Sequence, residues 1–196
     1  MKRLIILFAL LIAMPCEARM NVGIVGGGVS GGSACSTSSF SYTDATEGFN
    51  PTATWGTRWI SNAFTTTEGA TICKAIVRLK KSGSSPAVNY RFCLYSNNSG
   101  VPTAPASSGR LGCSDYVAGS TLSTSEGDVT FSNMSVALST STVYHGVLES
   151  DGYDETYTVD WAYDTTYVEN NMCTSIDDGG SWSVDTSKRG KMVLYK

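Results

Sequence analysis

Along much of the chain, apolar and polar residues alternate with a period of two, the spacing of an extended strand with one buried face. Val88, Tyr90, Phe92 and Leu94 share one parity. Cys73, Ala75, Val77 and Leu79 form another such face, with Lys74, Arg78 and Lys80 opposite, which reads as a half-buried antiparallel strand. Tyr157, Val159, Trp161 and Tyr163 alternate with Thr158, Asp160 and Ala162. Residues 142–149 carry few charges and read as the clearest inner strand. Further strands are predicted at 55–65, 111–117, 128–132, 136–138 and 190–196. Turn-forming clusters separate them, such as Ser82-Gly83-Ser84-Ser85-Pro86 and Asn97-Asn98-Ser99-Gly100-Val101-Pro102. No segment shows a convincing helical period. The pattern predicts an all-β fold, an antiparallel β-sandwich of jelly-roll type organised around residues 88–148.

Composition agrees with that reading. A chain of 196 residues has room for one domain with a substantial core. Ser and Thr supply 49 residues and Gly 20, while only 16% are charged, a mix that suits strand faces open to water. The aromatic content, 10%, argues against disorder.

The first residues look like an address. Met1-Lys2-Arg3 is basic, residues 4–14 are apolar, and Cys16-Glu17-Ala18 offers small residues ahead of a cleavage point before Arg19. The apolar run is too short to span a bilayer. This predicts a signal peptide over 1–18, a Gly/Ser-rich flexible leader over 19–45 and a sandwich domain over 46–196. In a lipoprotein Cys16 would carry the acyl chains, but Pro15 stands where such signals use a small residue. Removing Lys2, Arg3 and Glu17 takes the net charge from −3 to −4. Such a chain lacks the clustered Lys and Arg that nucleic acid or an anionic membrane demands. Within the leader, Val22-Gly23-Ile24-Val25-Gly26-Gly27-Gly28 imitates a dinucleotide fingerprint, yet no helix or second βα unit follows, so it reads as a linker.

An exported chain meets oxidising conditions, where cysteines pair. Cys93 and Cys113 lie on consecutive predicted strands and are the first expected pair. Cys73 with Cys173 is the second, which leaves Cys35 over in the leader. Spacing alone does not fix this connectivity.

Three blocks carry a family resemblance. The first is Phe64-Thr65 with Gly69-Ala70-Thr71-Ile72 and Lys74-Ala75-Ile76-Val77-Arg78-Leu79-Lys80-Lys81. The second runs Leu94-Tyr95-Ser96 through Gly100-Val101-Pro102. The third is Leu138 with Thr142-Val143-Tyr144-His145-Gly146-Val147-Leu148. Over residues 50–196 the chain resembles exported bacterial jelly-roll domains of the choice-of-anchor or adhesion type. The resemblance implies an envelope-associated or extracellular sandwich, for adhesion or glycan binding, and it carries no catalytic residue.

Five groups of residues offer candidate chemistry. Ser175-Ile176-Asp177-Asp178-Gly179-Gly180-Ser181-Trp182 matches the Asp-box pattern. In it Asp177 would accept backbone N–H groups, Gly179 would supply a positive φ and Trp182 would pack beneath, a structural turn. Asp151, Asp154 and Glu155 form an acidic loop that reads either as solvated or as a calcium site. Tyr153, Trp161, Asp164 and Tyr167 crowd the same region as aromatic and carboxylate partners for a sugar, although Trp161 and Tyr163 are also in phase with the core residue Val159. His145 is the lone histidine, and without a Gly-x-Ser-x-Gly elbow it reads as a hydrogen-bonded structural residue. Glu149 and Glu155 are carboxylates that a glycosidase pair would need, with nothing to single them out. The expected function is a secreted or surface-associated, non-catalytic binding module with a glycan ligand and no cofactor unless calcium. The alternatives are a self-assembling subunit of an extracellular filament, in which residues 21–34 order on assembly, and a small secreted hydrolase.

Overall fold

The computed structural model describes residues 35–43, 48–50, 58–83, 88–105, 108–152, 158–165 and 171–196. Among them are seventeen strands, β1 Ser38–Tyr42, β2 Gly48–Asn50, β3 Trp59–Thr65, β4 Ala70–Ile72, β5 Lys74–Ser82, β6 Asn89–Asn98, β7 Val101–Pro102, β8 Arg110–Cys113 and β9 Val117–Ala118 leading the order. There follow β10 Gly127–Phe131, β11 Val136–Leu138, β12 Val143–Ser150, β13 Thr158–Asp164, β14 Met172–Ser175, β15 Ser183–Asp185, β16 Arg189–Gly190 and β17 Met192–Tyr195. All pairings between them are antiparallel, as the alternating faces predicted.

One sheet runs β1-β17-β5, with β10 on the far side of β5 and β13 continuing beside it. The other runs β15-β14-β3-β12-β6, with β8 and β9 on the outer edge of β6. Eight of these strands, β1, β3, β5, β6, β8, β10, β12 and β17, alternate between the sheets as a jelly roll does. In chain order they lie first-eighth-third-sixth in one sheet and second-seventh-fourth-fifth in the other.

The core lies between the sheets. Ala75, Val77 and Leu79 of β5, Val159 and Trp161 of β13 and Phe131 of β10 face Ile60 and Phe64 of β3, Tyr90, Phe92 and Leu94 of β6, and Leu148 of β12. Phe92 meets Phe131 and Trp161 with ring centroids 6.0 Å apart. Gly146 makes room for this cluster, because a Cβ there would sit 2.3 Å from Phe92 Cζ.

Three expectations are corrected. Ser38–Tyr42, placed in the flexible leader, is an edge strand paired with β17, and Phe40 packs on Phe64 at 4.9 Å. Cys35, expected to be left over, bonds Cys73, with Cα atoms 6.0 Å apart, and so ties the entry of β1 to the start of β5. Cys173 is therefore a free thiol, buried in β14, because its side chain points to the far face of the other sheet. The strand expected over 111–117 is split into β8 and β9 by Ser114, Asp115 and Tyr116. The predicted pair Cys93–Cys113 is formed, and the two residues are direct cross-strand partners. Residues 1–34, where a signal peptide and Cys16 were expected to lie, are outside the described residues.

Candidate functional site

The outward face of the β3-β12-β6 sheet is the second place where side chains are buried. By register, Arg91, Cys93 and Tyr95 of β6 stand opposite Glu149, Val147 and His145 of β12. Trp59, Cys93, Tyr95 and Val147 form a small apolar cluster there, joined by Cys113 and Trp182.

Glu149 is the centre of this face. Its side chain is 1% exposed, and a carboxylate that dry must be matched by charge and hydrogen bonds. Arg91, its cross-strand partner, donates to Oε2 from Nε at 2.8 Å and from Nη2 at 2.6 Å. The Tyr95 hydroxyl, reaching back along β6, donates to Oε1. Arg110 Nε lies 3.1 Å from the Tyr95 hydroxyl and 3.5 Å from Oε1. Burial, then the bond to Glu149, raise Tyr95 well above its ordinary value. Burial opposes the charge on Arg110, yet Glu149, Tyr95 and Tyr116 outweigh it and hold its pKa above the usual value.

A β-bulge puts Arg110 in place. β8 pairs with β6 as Cys93–Cys113 and Leu94–Gly112, but Tyr95 then faces Arg110 because Leu111 is extra. Without the bulge Arg110 would fall on the opposite side of the sheet; an inserted residue re-aims the side chain next to it. Leu111 is left exposed. Just past β8, Tyr116 lies with its ring 5.0 Å from the Arg91 guanidinium and is 45% exposed.

The sulfurs of Cys93 and Cys113 and a carboxylate oxygen of Glu149 lie within 4.8 Å of one another, a spacing that suits a metal. The chemistry does not fit one. The sulfurs are bonded to each other and both oxygens of Glu149 are already engaged.

His145 lies further along the same face. Its Nε2 is 3.0 Å from Asn97 Oδ1, which also accepts the Gly100 N–H, so the proton is assigned to Nε2. Nδ1 is buried and has no hydrogen-bond partner among the described residues. Burial lowers the pKa of His145 to about 4, so the ring is neutral at physiological pH. Among the described residues, Asn97 is the side chain that hydrogen-bonds the ring. Beyond it, Cys173 lies beside the Ser61 hydroxyl, and burial pushes its thiol up to about 11.

The Asp-box segment folds as a turn. Asp177 Oδ1 accepts from Ser181 N at 2.7 Å and from Ser175 Oγ at 2.8 Å. The backbone bond from Ser181, then Ser175, hold the Asp177 carboxyl below its usual range. Gly179 has φ 79° and sits against Trp59, where a Cβ would fall 2.9 Å from the ring, and Trp182 Nε1 donates to its carbonyl at 3.1 Å.

The expected ligand set does not assemble. Trp161 is fully buried between the sheets, and its Nε1 donates to the Lys191 carbonyl at 2.9 Å. Asp164 is buried in a bidentate ion pair with Arg189, its cross-strand partner, and Arg189 stacks on Tyr42 at 4.0 Å. Both residues are corrected from ligand contacts to internal supports. Asp151, proposed for calcium, instead accepts from Asn89 N and Nδ2 at 2.7 Å each and pins the ends of β6 and β12 together. Tyr153, Asp154, Glu155 and Tyr167 lie outside the described residues. Sequence reasoning missed Arg91, Arg110 and Tyr116. The one available signal was Ser114-Asp115-Tyr116, a polar break in an otherwise alternating stretch.

Compared with protein-family models, with curated proteins and with solved structures, the chain matches none.

Proposed function

We propose that this chain is an exported, non-catalytic binding module whose ligand is a glycan. The observation that carries the reading is Tyr116, a half-exposed aromatic ring with the Arg91 guanidinium over it, beside Arg110 at the edge of the sheet. Exposed Tyr and Arg side chains fixed by a scaffold supply apolar contact area and hydrogen-bond donors at low entropic cost. A sugar ring asks for both. The two disulfides support export, since such bonds persist in oxidising compartments. The resemblance of its sequence blocks to adhesion-type jelly-roll domains agrees with this reading only as an analogy of fold, which names no ligand.

The test is a glycan array probed with the purified protein and with Tyr116→Ala. Specific binding that disappears in the variant is the expected result. Undiminished binding by the variant would put the site elsewhere on the surface. Silence of the wild type across a broad array would remove the glycan reading.

A further inference from the structure

We propose that the sugar bound here is acidic, with its carboxylate or sulfate received by the open edge of Arg110 and its ring against Tyr116. The proposal rests on the glycan reading above and names the ligand class for that site.

Glu149 needs one cation for neutrality, and Arg91 supplies it through two hydrogen bonds. Arg110 is a second cation on the same carboxylate, and only its Nε is engaged. Its two Nη groups have no partner among the described residues, and its side chain is 35% exposed. The cluster of Arg91, Arg110 and Glu149 therefore keeps one positive charge in excess, on the group that faces solvent. Among the described residues, Asp151 and Asp115 are each turned onto an asparagine and not onto Arg110. Asp151, two residues beyond Glu149, accepts both of its bonds from Asn89, and Asp115 accepts from Asn133 Nδ2 at 2.5 Å.

Arg110 is also held in place before any ligand arrives. A guanidinium presents its donors as a planar fork that matches two oxygens of an acid group. Tyr95 and Glu149 hold the Nε side of Arg110, which leaves the Nη side fixed in direction before any ligand arrives. The Leu111 bulge is what brings Arg110 to this face. A neutral structural pair would need neither the second arginine nor the bulge.

The experiment is isothermal titration of the purified protein with matched polymers: oligogalacturonate against its methyl ester, and chondroitin sulfate against desulfated, carboxyl-reduced chondroitin. Binding of either acidic member at least about tenfold tighter than its neutral counterpart is expected, the size of a charged hydrogen bond. It should weaken as salt rises from 50 to 200 mM. A difference in the galacturonate pair identifies a carboxylate; a difference in the chondroitin pair alone points to the sulfate, since both acidic polymers carry carboxylates. Arg110→Gln should lose the same factor while Tyr116→Ala weakens acidic and neutral members alike. Equal affinity for acid and neutral forms would overturn the acidic-sugar proposal and leave the glycan reading standing. No binding to any polymer or to the array would overturn both. The comparison of acid with ester on the wild type decides the matter even where Arg110→Gln fails to fold.

Discussion

Lowering the pH from 7.5 to 4.5 probes the buried outer face through one group. His145 is neutral when folded, with a pKa near 4, against about 6.5 in an unfolded chain. A histidine whose folded pKa is depressed adds stability that is complete above about pH 6.5 and is lost as the pH falls through the folded value near 4. Between those limits the unfolded chain binds the extra proton. Two and a half pKa units correspond to about 3.4 kcal/mol at the acid limit, and to about 2.5 kcal/mol at pH 4.5. His145→Gln keeps a donor for Asn97 and removes the titration. Urea unfolding at pH 7.5 and 4.5 therefore gives two numbers for each protein. Wild type should lose about 2.5 kcal/mol more than the variant over this interval, whatever both lose through carboxylates. Equal losses would refute the reasoning, as would a histidine titrating near its ordinary value by NMR in the native protein.

Three further outcomes follow from the same face. Glu149→Gln leaves Arg91 and Arg110 facing each other without a counter-charge, and removing one member of a buried ionic cluster should cost about 3–5 kcal/mol in chemical unfolding; a cost below about 1 kcal/mol would contradict the burial described here. Cys93→Ala with Cys113→Ala opens a crosslink of sequence separation 20 and should lower stability by about 3 kcal/mol, with thermal unfolding under non-reducing conditions as the check. Cys173, with its thiol raised to about 11 by burial, should resist a thiol reagent at pH 8 in the native protein and react once unfolded; fast native labelling would show that the loops over this face open readily.

The strands were legible in the sequence because burial on one face of a sheet imposes a period of two. β5 alternates buried and half-buried residues as expected, and Tyr90, Phe92 and Leu94 all reach the core. The site was less legible, because its members meet across strands far apart in the chain. Glu149 is recognisable only once Arg91, 58 residues earlier, is known to stand opposite. Arg110 needs the bulge as well, and no composition rule announced that Leu111 would be the extra residue. Trp161 and Asp164 show the converse error. Parity assigned Trp161 to a face but could not say that Asp164 would be neutralised from 25 residues away by Arg189. The expected pair Cys73–Cys173 fails because the Gly/Ser-rich stretch before β1 hides the strand at 38–42 that carries Cys35 to Cys73.

The most direct test of the binding face is an NMR titration that follows arginine Nε–Hε signals while oligogalacturonate is added. Arg110 should shift first and Arg91 with it, while Arg189, buried against Asp164, and Arg78, paired with Asp128 on the other sheet, should stay fixed. Shifts at Arg78 without change at Arg110 would contradict the placement of the site on the outer face around Glu149.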